Sequence, residues 1–282
     1  MYKIIERRTS PYLVRSIVLR LIPLQGRHTN NFIAFCSRIS EKSVDVAKTF
    51  GQFTLDVILT AGFGLKADIQ TNPDPELVEK VLTVFDVPVY IRALSMFPFF
   101  RLVRKIFHLN PIQHVPYFAK MAQEVLDLRR SGSSGRRDLV QLMLEAEEVT
   151  DKEIKKLTDE EIIGQCIVFF VAASDTAGTT LACIAYYLAH HPGVQEKLLR
   201  EIDDAVRSHG DESKYHFLQS LEYLERVISE VLRLSTVGYV NVRECMETCI
   251  IGGVEFPAGV SVYLPTYAIH RNPEFWPEVI NF

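Results

Sequence analysis

The chain has 282 residues, of which 48% are hydrophobic and 23% charged, so it carries ample apolar material for a folded core. Its formal net charge of −4 lacks the basic excess of nucleic-acid-binding proteins, and we expect no nucleic-acid partner. The five cysteines are an odd number without CxxC spacing, which favours a reduced compartment over a disulfide framework and indicates no zinc site.

The first 40 residues give the weakest structural signal. Their apolar runs are broken by Arg15 and Arg20, so they lack the continuous core of a signal peptide, and we predict no membrane anchor here. The Arg-rich, acid-poor composition also matches a transit peptide. We therefore divide the chain into an N-terminal segment, residues 1–40, and a domain over residues 41–282.

Two helices are predicted next. Residues 44–64 have apolar positions at helical spacing and end on glycines, which is typical of a helix. A loop over residues 70–75 precedes a second helix that starts near Glu76.

Residues 87–115 are rich in Phe, Leu, Ile and Val, with scattered arginines. Two interpretations stay open, core packing or a surface that dips into a membrane, since aromatic residues flanked by cations suit the membrane interface. Further on, RRSGSSGRR over residues 129–137 has the composition of a flexible loop. We predict a hinge at this loop.

A long apolar helix is predicted from residue 158 to 190. Thr158 and Glu161 form a T-x-x-E capping box at its start. Pro192 marks its end, because proline disfavours helical geometry in the residue before it.

The centre of this helix is built from small residues, in VAASDTAGTT over residues 171–180. Gly178 costs roughly 1 kcal/mol of helix propensity, so its presence needs a structural reason. Small side chains permit close approach to the backbone. The approaching structure is either another helix or a flat cofactor that lies beside Asp175 and Thr176.

Length and composition would also allow this helix to span a membrane. Asp175 near its middle opposes a span, since an acid at the bilayer centre costs roughly 2.5–3.5 kcal/mol. A helix buried in a large domain explains the mixture of apolar and hydroxyl residues better. A membrane-embedded helical protein that uses Asp175 as a polar site remains an alternative.

Residues 218–234 form a predicted helix that carries an E-x-x-R pair, Glu230 and Arg233. Such a pair is usually exposed, but apolar neighbours place this one at the border of a buried stripe. From residue 240 to 268 the sequence changes to short strands separated by turns. Arg243 lies in the strand-like V-N-V-R-E-C, where a guanidinium could bind a carboxylate through two hydrogen bonds.

Taken in order, these motifs resemble one known family. The small-residue helix is followed by HP-x-VQ-x-KL-x-x-EID over residues 191–203, by E-x-x-R in a helix that ends LRL, by R-x-C, and by FPAGVSVYLPTYAIHRNPEFWPE over residues 256–278. This order resembles the haem-thiolate monooxygenases, the cytochrome P-450 family, and within it the microsomal drug- and steroid-oxidising branch. The resemblance implies a mainly α fold with a small β-sheet region.

The resemblance also implies roles for individual residues. It assigns Asp175 and Thr176 to a proton relay toward bound dioxygen, and Glu230 with Arg233 to a structural pair. The residues implied to bind haem are Ala172, Ala173, Thr176 and, at a propionate, Arg243. The residues implied to line the substrate side are Val168, Val171, Val237 and Tyr239.

The implied cofactor is haem, with a cysteine thiolate as the iron ligand. The implied reaction inserts one oxygen atom from O2 into a small apolar organic substrate. NADPH takes part only indirectly, through a flavoprotein reductase that donates electrons. The implied location is the cytosolic face of the endoplasmic reticulum membrane, with residues 87–115 as a surface that contacts the membrane.

Several positions depart from the family. Ala173 stands where the family usually has Gly, Ala177 where it has Thr or Ser, and Thr236 where it has proline. None of the five cysteines lies in the Phe-x-x-Gly-x-Arg-x-Cys-x-Gly loop that supplies the iron ligand, and Trp276 is the only tryptophan. We therefore expect an internal piece of a monooxygenase that holds no metal ligand and does not retain haem. A non-catalytic helical scaffold is a further alternative.

Overall fold

The chain divides into two units, Met1–Gly178 and Thr179–Phe282. The computed structural model describes residues 31–32, 45–65, 68–84, 114–132, 138–149, 154–209, 214–279 and 282. The predicted domain boundary at residue 40 and nearly all of the predicted membrane-contacting surface, residues 87–115, lie outside the described residues. Both stay predictions.

Helices dominate the first unit. In chain order its described elements are α1 (Val46–Phe63), α2 (Pro75–Leu82), α3 (Val115–Arg130), α4 (Leu139–Glu145), β1 (Glu147–Val149), β2 (Ile154–Lys156) and the first part of α5 (Asp159–His190). β1 and β2 pair antiparallel, with Glu147 opposite Lys156. The helices predicted over residues 44–64 and from Glu76 are present as α1 and α2.

Side chains at the helix starts explain where these helices begin. Asp45, Asp74 and Asp138 each accept a hydrogen bond from a backbone N–H in the first turn of the helix that follows. α5 begins with the predicted capping box: the Glu161 N–H donates to Thr158 Oγ1 over 3.3 Å, and the Thr158 N–H donates to Glu161 Oε2 over 2.9 Å. Local sequence is therefore enough to set these starts.

An aromatic stack joins α1, α3 and α5. Phe63, Phe118 and Phe170 are fully buried. The ring centroids of Phe63 and Phe170 lie 3.8 Å apart, and those of Phe118 and Phe170 lie 6.1 Å apart. Because each aromatic ring buries a large apolar area, this stack is the centre of the first unit's core.

The first unit also contains a buried ion pair. Arg129 at the end of α3 donates through Nη2 to Asp138 and, over 2.9 Å, to the carbonyl oxygen of Phe63. The two charged side chains are buried together. The loop predicted over residues 129–137 is therefore wrong at Arg129 and Arg130, which are the last residues of α3, while residues 133–137 lie outside the described residues.

The second unit begins with the last part of α5. After that helix its described residues form three further helices and four short strands. They are α6 (Pro192–His209), α7 (Lys214–Gln219), α8 (Glu222–Leu234), β3 (Asn241–Glu244), β4 (Cys249–Ile251), β5 (Val254–Phe256), β6 (Ser261–Leu264) and a final helical turn, α9 (Thr266–Ile269). β3 pairs antiparallel with β6, and β4 with β5. The predicted fold class, mainly α with a small β-sheet region, is confirmed.

The helix predicted over residues 218–234 is interrupted. The structure ends α7 at Gln219 and starts α8 at Glu222. Glu201 of α6 explains the new start, because its carboxylate accepts hydrogen bonds from the N–H groups of Tyr223 and Leu224 over 2.7 and 3.0 Å. A side chain from another helix thus caps α8, and spacing along residues 218–234 could not reveal it.

Candidate functional site

The centre of α5 presents an exposed face of small residues. Ala172 and Val168, four residues apart, are both exposed, and Thr176 is half-buried one turn further on. The Thr176 hydroxyl donates to the Ala172 carbonyl oxygen over 2.6 Å, which fixes the Oγ1 atom against the helix backbone. The side chains of Ala173 and Asp175 lie outside the described residues, so their predicted roles stay predictions.

Gly178 is not part of this exposed face, because it lies against another helix. A β-carbon at position 178 would lie 2.9 Å from the Gly51 α-carbon and 3.1 Å from Thr54 Oγ1. These atoms belong to α1, so α1 crosses α5 at this glycine. Of the two interpretations of the small-residue stretch, the crossing helix is the one that applies at Gly178.

The predicted substrate-side residues of the first unit differ in exposure. Val168 is 43% exposed, whereas Val171 is 5% exposed and packs in the core with the aromatic stack. The helical period explains the difference, because Val171 lies at one border of the buried stripe of α5 and Val168, about 60° further around the helix axis, lies just outside that border. Of these two valines, Val168 is the one that presents its side chain to the surface of this unit.

Glu230 and Arg233 form a two-hydrogen-bond ion pair on α8. Arg233 Nε donates to Glu230 Oε2 over 2.8 Å, and Nη2 donates to Oε1 over 2.6 Å. The Arg233 side chain is 5% exposed and that of Glu230 is 31% exposed. The hydrogen bond to Glu230 raises the pKa of the Arg233 guanidinium.

Backbone oxygens complete the surroundings of Arg233. Its Nη1 donates to the carbonyl oxygens of His270 and Val279 over 3.0 and 2.9 Å, and its guanidinium carbon lies 4.8 Å from the centroid of the Trp276 ring. Thr236 Oγ1 lies 3.1 Å from His270 Nδ1. Arg233 therefore ties α8 to the segment after α9. The motif over residues 256–278 includes His270, but these contacts could not be predicted from it, since any residue type offers a backbone carbonyl oxygen.

The other predicted residues of the second unit lie on its surface. Val237, Tyr239 and Arg243 are exposed. Arg243 Nη1 donates to the carbonyl oxygen of Val242 over 3.0 Å. The Tyr239 ring lies 5.2 Å from the Tyr267 ring, centroid to centroid. Each of these three side chains can therefore meet a ligand without displacing core residues.

Cys166 does not fit the role of a haem-iron ligand, which requires a thiolate. Cys166 is 1% exposed in the core, and burial raises the pKa of its thiol to about 12, so it stays protonated. Cys183 is half-buried in α5, Cys245 follows the exposed strand β3, and Cys249 is the first residue of the exposed strand β4. Cys36 lies outside the described residues. The open face at Ala172 does fit a flat ring, because no bulky side chain stands at that position.

Two features of the described residues bear on other kinds of site. No group of three or more His, Cys, Asp or Glu side chains among them could hold a metal ion. Among them, α5 is long and apolar enough to cross a membrane, with a mean hydropathy of 1.6 and 20% of its apolar window buried. Core helices also pass that test, and in the first unit Phe170 of α5 is fully buried.

Comparison with known proteins agrees with the order of the motifs. The cytochrome P450 family model matches residues 7–282. Cytochrome P450 3A2 of Rattus norvegicus is 31% identical over 284 residues, which cover 97% of this chain and 56% of the relative. Lithocholate 6-beta-hydroxylase of Mesocricetus auratus is 30% identical and cytochrome P450 3A7 of Homo sapiens 29%, each over 290 residues that cover 100% of this chain and 58% of the relative.

The chain spans somewhat more than half the length of the curated relatives it matches. The family match nevertheless extends over nearly all of its residues. The resemblance read from the motifs is thereby confirmed: this chain belongs to the cytochrome P450 family.

Proposed function

We propose that this chain forms the oxygen-facing side of the haem site in a monooxygenase that inserts one oxygen atom from O2 into a small apolar organic substrate. The observation that carries the proposal is the exposed face of α5, where the Thr176 hydroxyl is held 2.6 Å from the Ala172 carbonyl oxygen. Family membership supplies the reaction class. When bound, haem supplies the activation of O2, which no amino-acid side chain performs.

Each residue on the α5 face then has a role. Ala172 and Ala173 leave room for the flat ring, since a larger side chain would stand between ring and helix. Thr176 presents a hydroxyl whose position is fixed by its bond to the helix, and Asp175 is the acid that passes a proton to it. The protein's own contribution to oxygen activation is thus to deliver protons to one defined position, the Thr176 hydroxyl.

The second unit contributes binding and support. Arg243 is an exposed cation suited to a haem propionate. Glu230 and Arg233 do not touch substrate; they hold α8 against the segment that ends with Val279. Val168, Val171, Val237 and Tyr239 are the residues that the resemblance assigns to the substrate side, and of these Val168, Val237 and Tyr239 are exposed.

The iron ligand is the part of the site that the described cysteines do not supply. We propose that the 282-residue chain by itself does not hold a thiolate-ligated haem. The protonated thiol of Cys166 supports this, as does the contact between the sulfurs of Cys245, which follows β3, and Cys249, the first residue of β4.

The partners follow from the reaction. A flavoprotein reductase supplies electrons from NADPH, and the enzyme works at the cytosolic face of the endoplasmic reticulum membrane, which residues 87–115 contact. One relative is named for a hydroxylation of lithocholate. That name favours apolar substrates of the drug and steroid kind for this chain too.

The test supplies the missing ligand from solution. The chain is titrated with haem, reduced and exposed to carbon monoxide, with and without a small thiol such as 2-mercaptoethanol. We expect the spectrum of a thiolate-ligated haem only with the added thiol. That spectrum should disappear in Ala172→Phe and persist in Ala189→Phe, a matched change at another exposed alanine of α5.

Two different results would contradict the missing iron ligand and the use of the α5 face. A thiolate spectrum without added thiol would show that the chain holds its own ligand. Equal spectra from the Ala172→Phe and Ala189→Phe variants would show that haem does not use the α5 face.

A membrane-embedded protein is the second candidate, favoured by the apolar window of α5, of which only 20% is buried. Extraction of membranes from expressing cells with alkaline carbonate distinguishes the two. Release of the chain into the soluble fraction supports a surface-associated enzyme domain, and retention until detergent is added supports a span through α5.

A further inference from the structure

Two cysteines of the second unit are held close together by the strand pairs on either side of them. Cys245 follows β3; its N–H donates to the Val260 carbonyl oxygen over 2.8 Å, and its carbonyl oxygen accepts from the Gly259 N–H over 2.7 Å. Cys249 begins β4 and lies opposite Phe256 of β5. Both backbone positions are therefore fixed by antiparallel pairing, with three residues between them.

The side chains of this thiol pair, Cys245 and Cys249, meet at the turn. Their sulfur atoms lie 3.8 Å apart. The Cys245 sulfur also lies 3.0 Å from the Glu247 carbonyl oxygen and 3.3 Å from that of Phe256. Since Phe256 is the strand partner of Cys249, the same register that places Cys249 also places the Cys245 sulfur beside it. Cys249 is exposed and Cys245 half-buried, so small reagents can reach the pair.

We propose that the thiol pair is a redox modification site, at which a hydroperoxide converts Cys245 and Cys249 to an intramolecular disulfide. The sulfurs must approach from 3.8 Å to a bond length of about 2.05 Å, a shift of about 1.8 Å that side-chain rotation can supply. No third His, Cys, Asp or Glu joins them among the described residues to make a metal cluster. Two thiols without further ligands suit disulfide chemistry better than a tetrahedral metal site.

The reaction balances with hydrogen peroxide as the oxidant. One thiolate attacks a peroxide oxygen, the O–O bond breaks, and a sulfenic acid and hydroxide form. The second thiol then attacks the sulfenic sulfur, the S–S bond forms, and the sulfenic oxygen leaves as water. The two thiols lose two electrons and two protons, and the peroxide is reduced to two molecules of water.

The contact between the two sulfurs also changes the acidity of Cys249. The hydrogen bond to Cys245 raises the pKa of the Cys249 thiol, with smaller contributions from burial and from charge on Cys245. A shared proton of this kind keeps the two sulfurs in contact before oxidation. Reaction in the folded chain should therefore be faster than in an unfolded chain, where the thiols are only loosely tethered.

The experiment is oxidation of the complete 282-residue chain in native buffer with limiting hydrogen peroxide, followed by alkylation and tryptic digestion. Cleavage after Arg243 and Arg271 places both cysteines in one peptide, residues 244–271, which contains no other cysteine. We expect this peptide to lack two hydrogen atoms, to carry no alkyl group, and to recover both thiols after treatment with dithiothreitol. The rate should be about tenfold higher in native buffer than in urea.

The controls separate the pair from ordinary thiol oxidation. Cys183→Ser leaves the thiol pair intact and should retain the disulfide, whereas Cys245→Ser should lose it. Independent alkylation of both thiols after peroxide treatment would overturn the proposal. So would oxidation to sulfinic acids without the link, or an equal rate in urea, since the folded arrangement would then contribute nothing.

Discussion

Gly178 of α5 lies against Gly51 of α1, so closely that a β-carbon on Gly178 would come within 3.0 Å of the Gly51 backbone nitrogen. Neighbouring backbone atoms cannot rotate away as a flexible side chain can. The contact therefore requires glycine at position 178, and it explains a residue that otherwise weakens the helix.

Replacement of Gly178 by alanine tests this relationship. Alanine favours helix formation, but the forced separation of α1 and α5 should outweigh that gain, and we expect a net loss of about 1–3 kcal/mol in the free energy of unfolding. Gly164 is the matched control, because among the described residues no atom outside its own helix backbone and its chain neighbours lies within 4 Å of a β-carbon built there. Gly164→Ala should stabilise the chain by up to about 1 kcal/mol. Urea denaturation measures both, and equal effects would contradict the helix crossing.

Removal of the Glu230 carboxylate should destabilise the second unit. Glu230→Ala leaves the buried Arg233 without its charged partner, and we expect a loss of roughly 3 kcal/mol in the free energy of unfolding. Glu222→Ala on the same helix is the control, since Glu222 and its partner Arg226 are both exposed. Thermal unfolding followed by circular dichroism should show a clear shift for the first variant only. A similar shift for both variants would mean that the buried ion pair contributes no more to stability than the exposed one.

Glu201 should matter for the start of α8. Glu201→Ala removes the acceptor for the N–H groups of Tyr223 and Leu224, and the expected loss is about 1 kcal/mol, as for other N-terminal caps. Hydrogen exchange at these two amides should rise. Glu196→Ala, which removes an exposed carboxylate of the same helix, should leave their exchange unchanged. Unchanged exchange in the Glu201 variant would contradict the capping role.

The buried thiol of Cys166 predicts a specific dependence of stability on pH. Burial raises its pKa from 9.0 to about 12, so above pH 9 the unfolded chain has lost a proton that the folded chain keeps. Stability therefore falls as pH rises from 9 toward 12, by up to about 1.4 kcal/mol per pH unit from this group. Cys166→Ala should make the alkaline slope shallower in urea titrations at several pH values. An unchanged slope would contradict a protonated core thiol.

Much of the helical framework could be predicted because its signals are local. The capping residues Thr158 and Glu161, the proline after α5 and the E-x-x-R spacing of α8 each act within a few residues along the chain. Family membership could be predicted for a related reason, since the order of such motifs is a property of the sequence itself.

The candidate site was less predictable. The resemblance implies a substrate-facing role for Val171, and the structure buries this side chain in the core, because the elements packed around a helix decide which of its faces is covered. The role of Val171 therefore stays a prediction. Arg129 was assigned to a loop, although its buried partner Asp138 holds it in α3. In both cases a contact with another element decided the outcome.

By itself the sequence determined the helical fold class, the starts of α1, α2 and α5 and the family, because capping, spacing and motif order act along the chain. Tertiary structure alone decided that Gly178 serves a helix crossing, that Glu201 caps α8, and that Arg233 binds the carbonyl oxygens of His270 and Val279. These relationships join residues distant in the chain, and their atoms meet only when the elements pack.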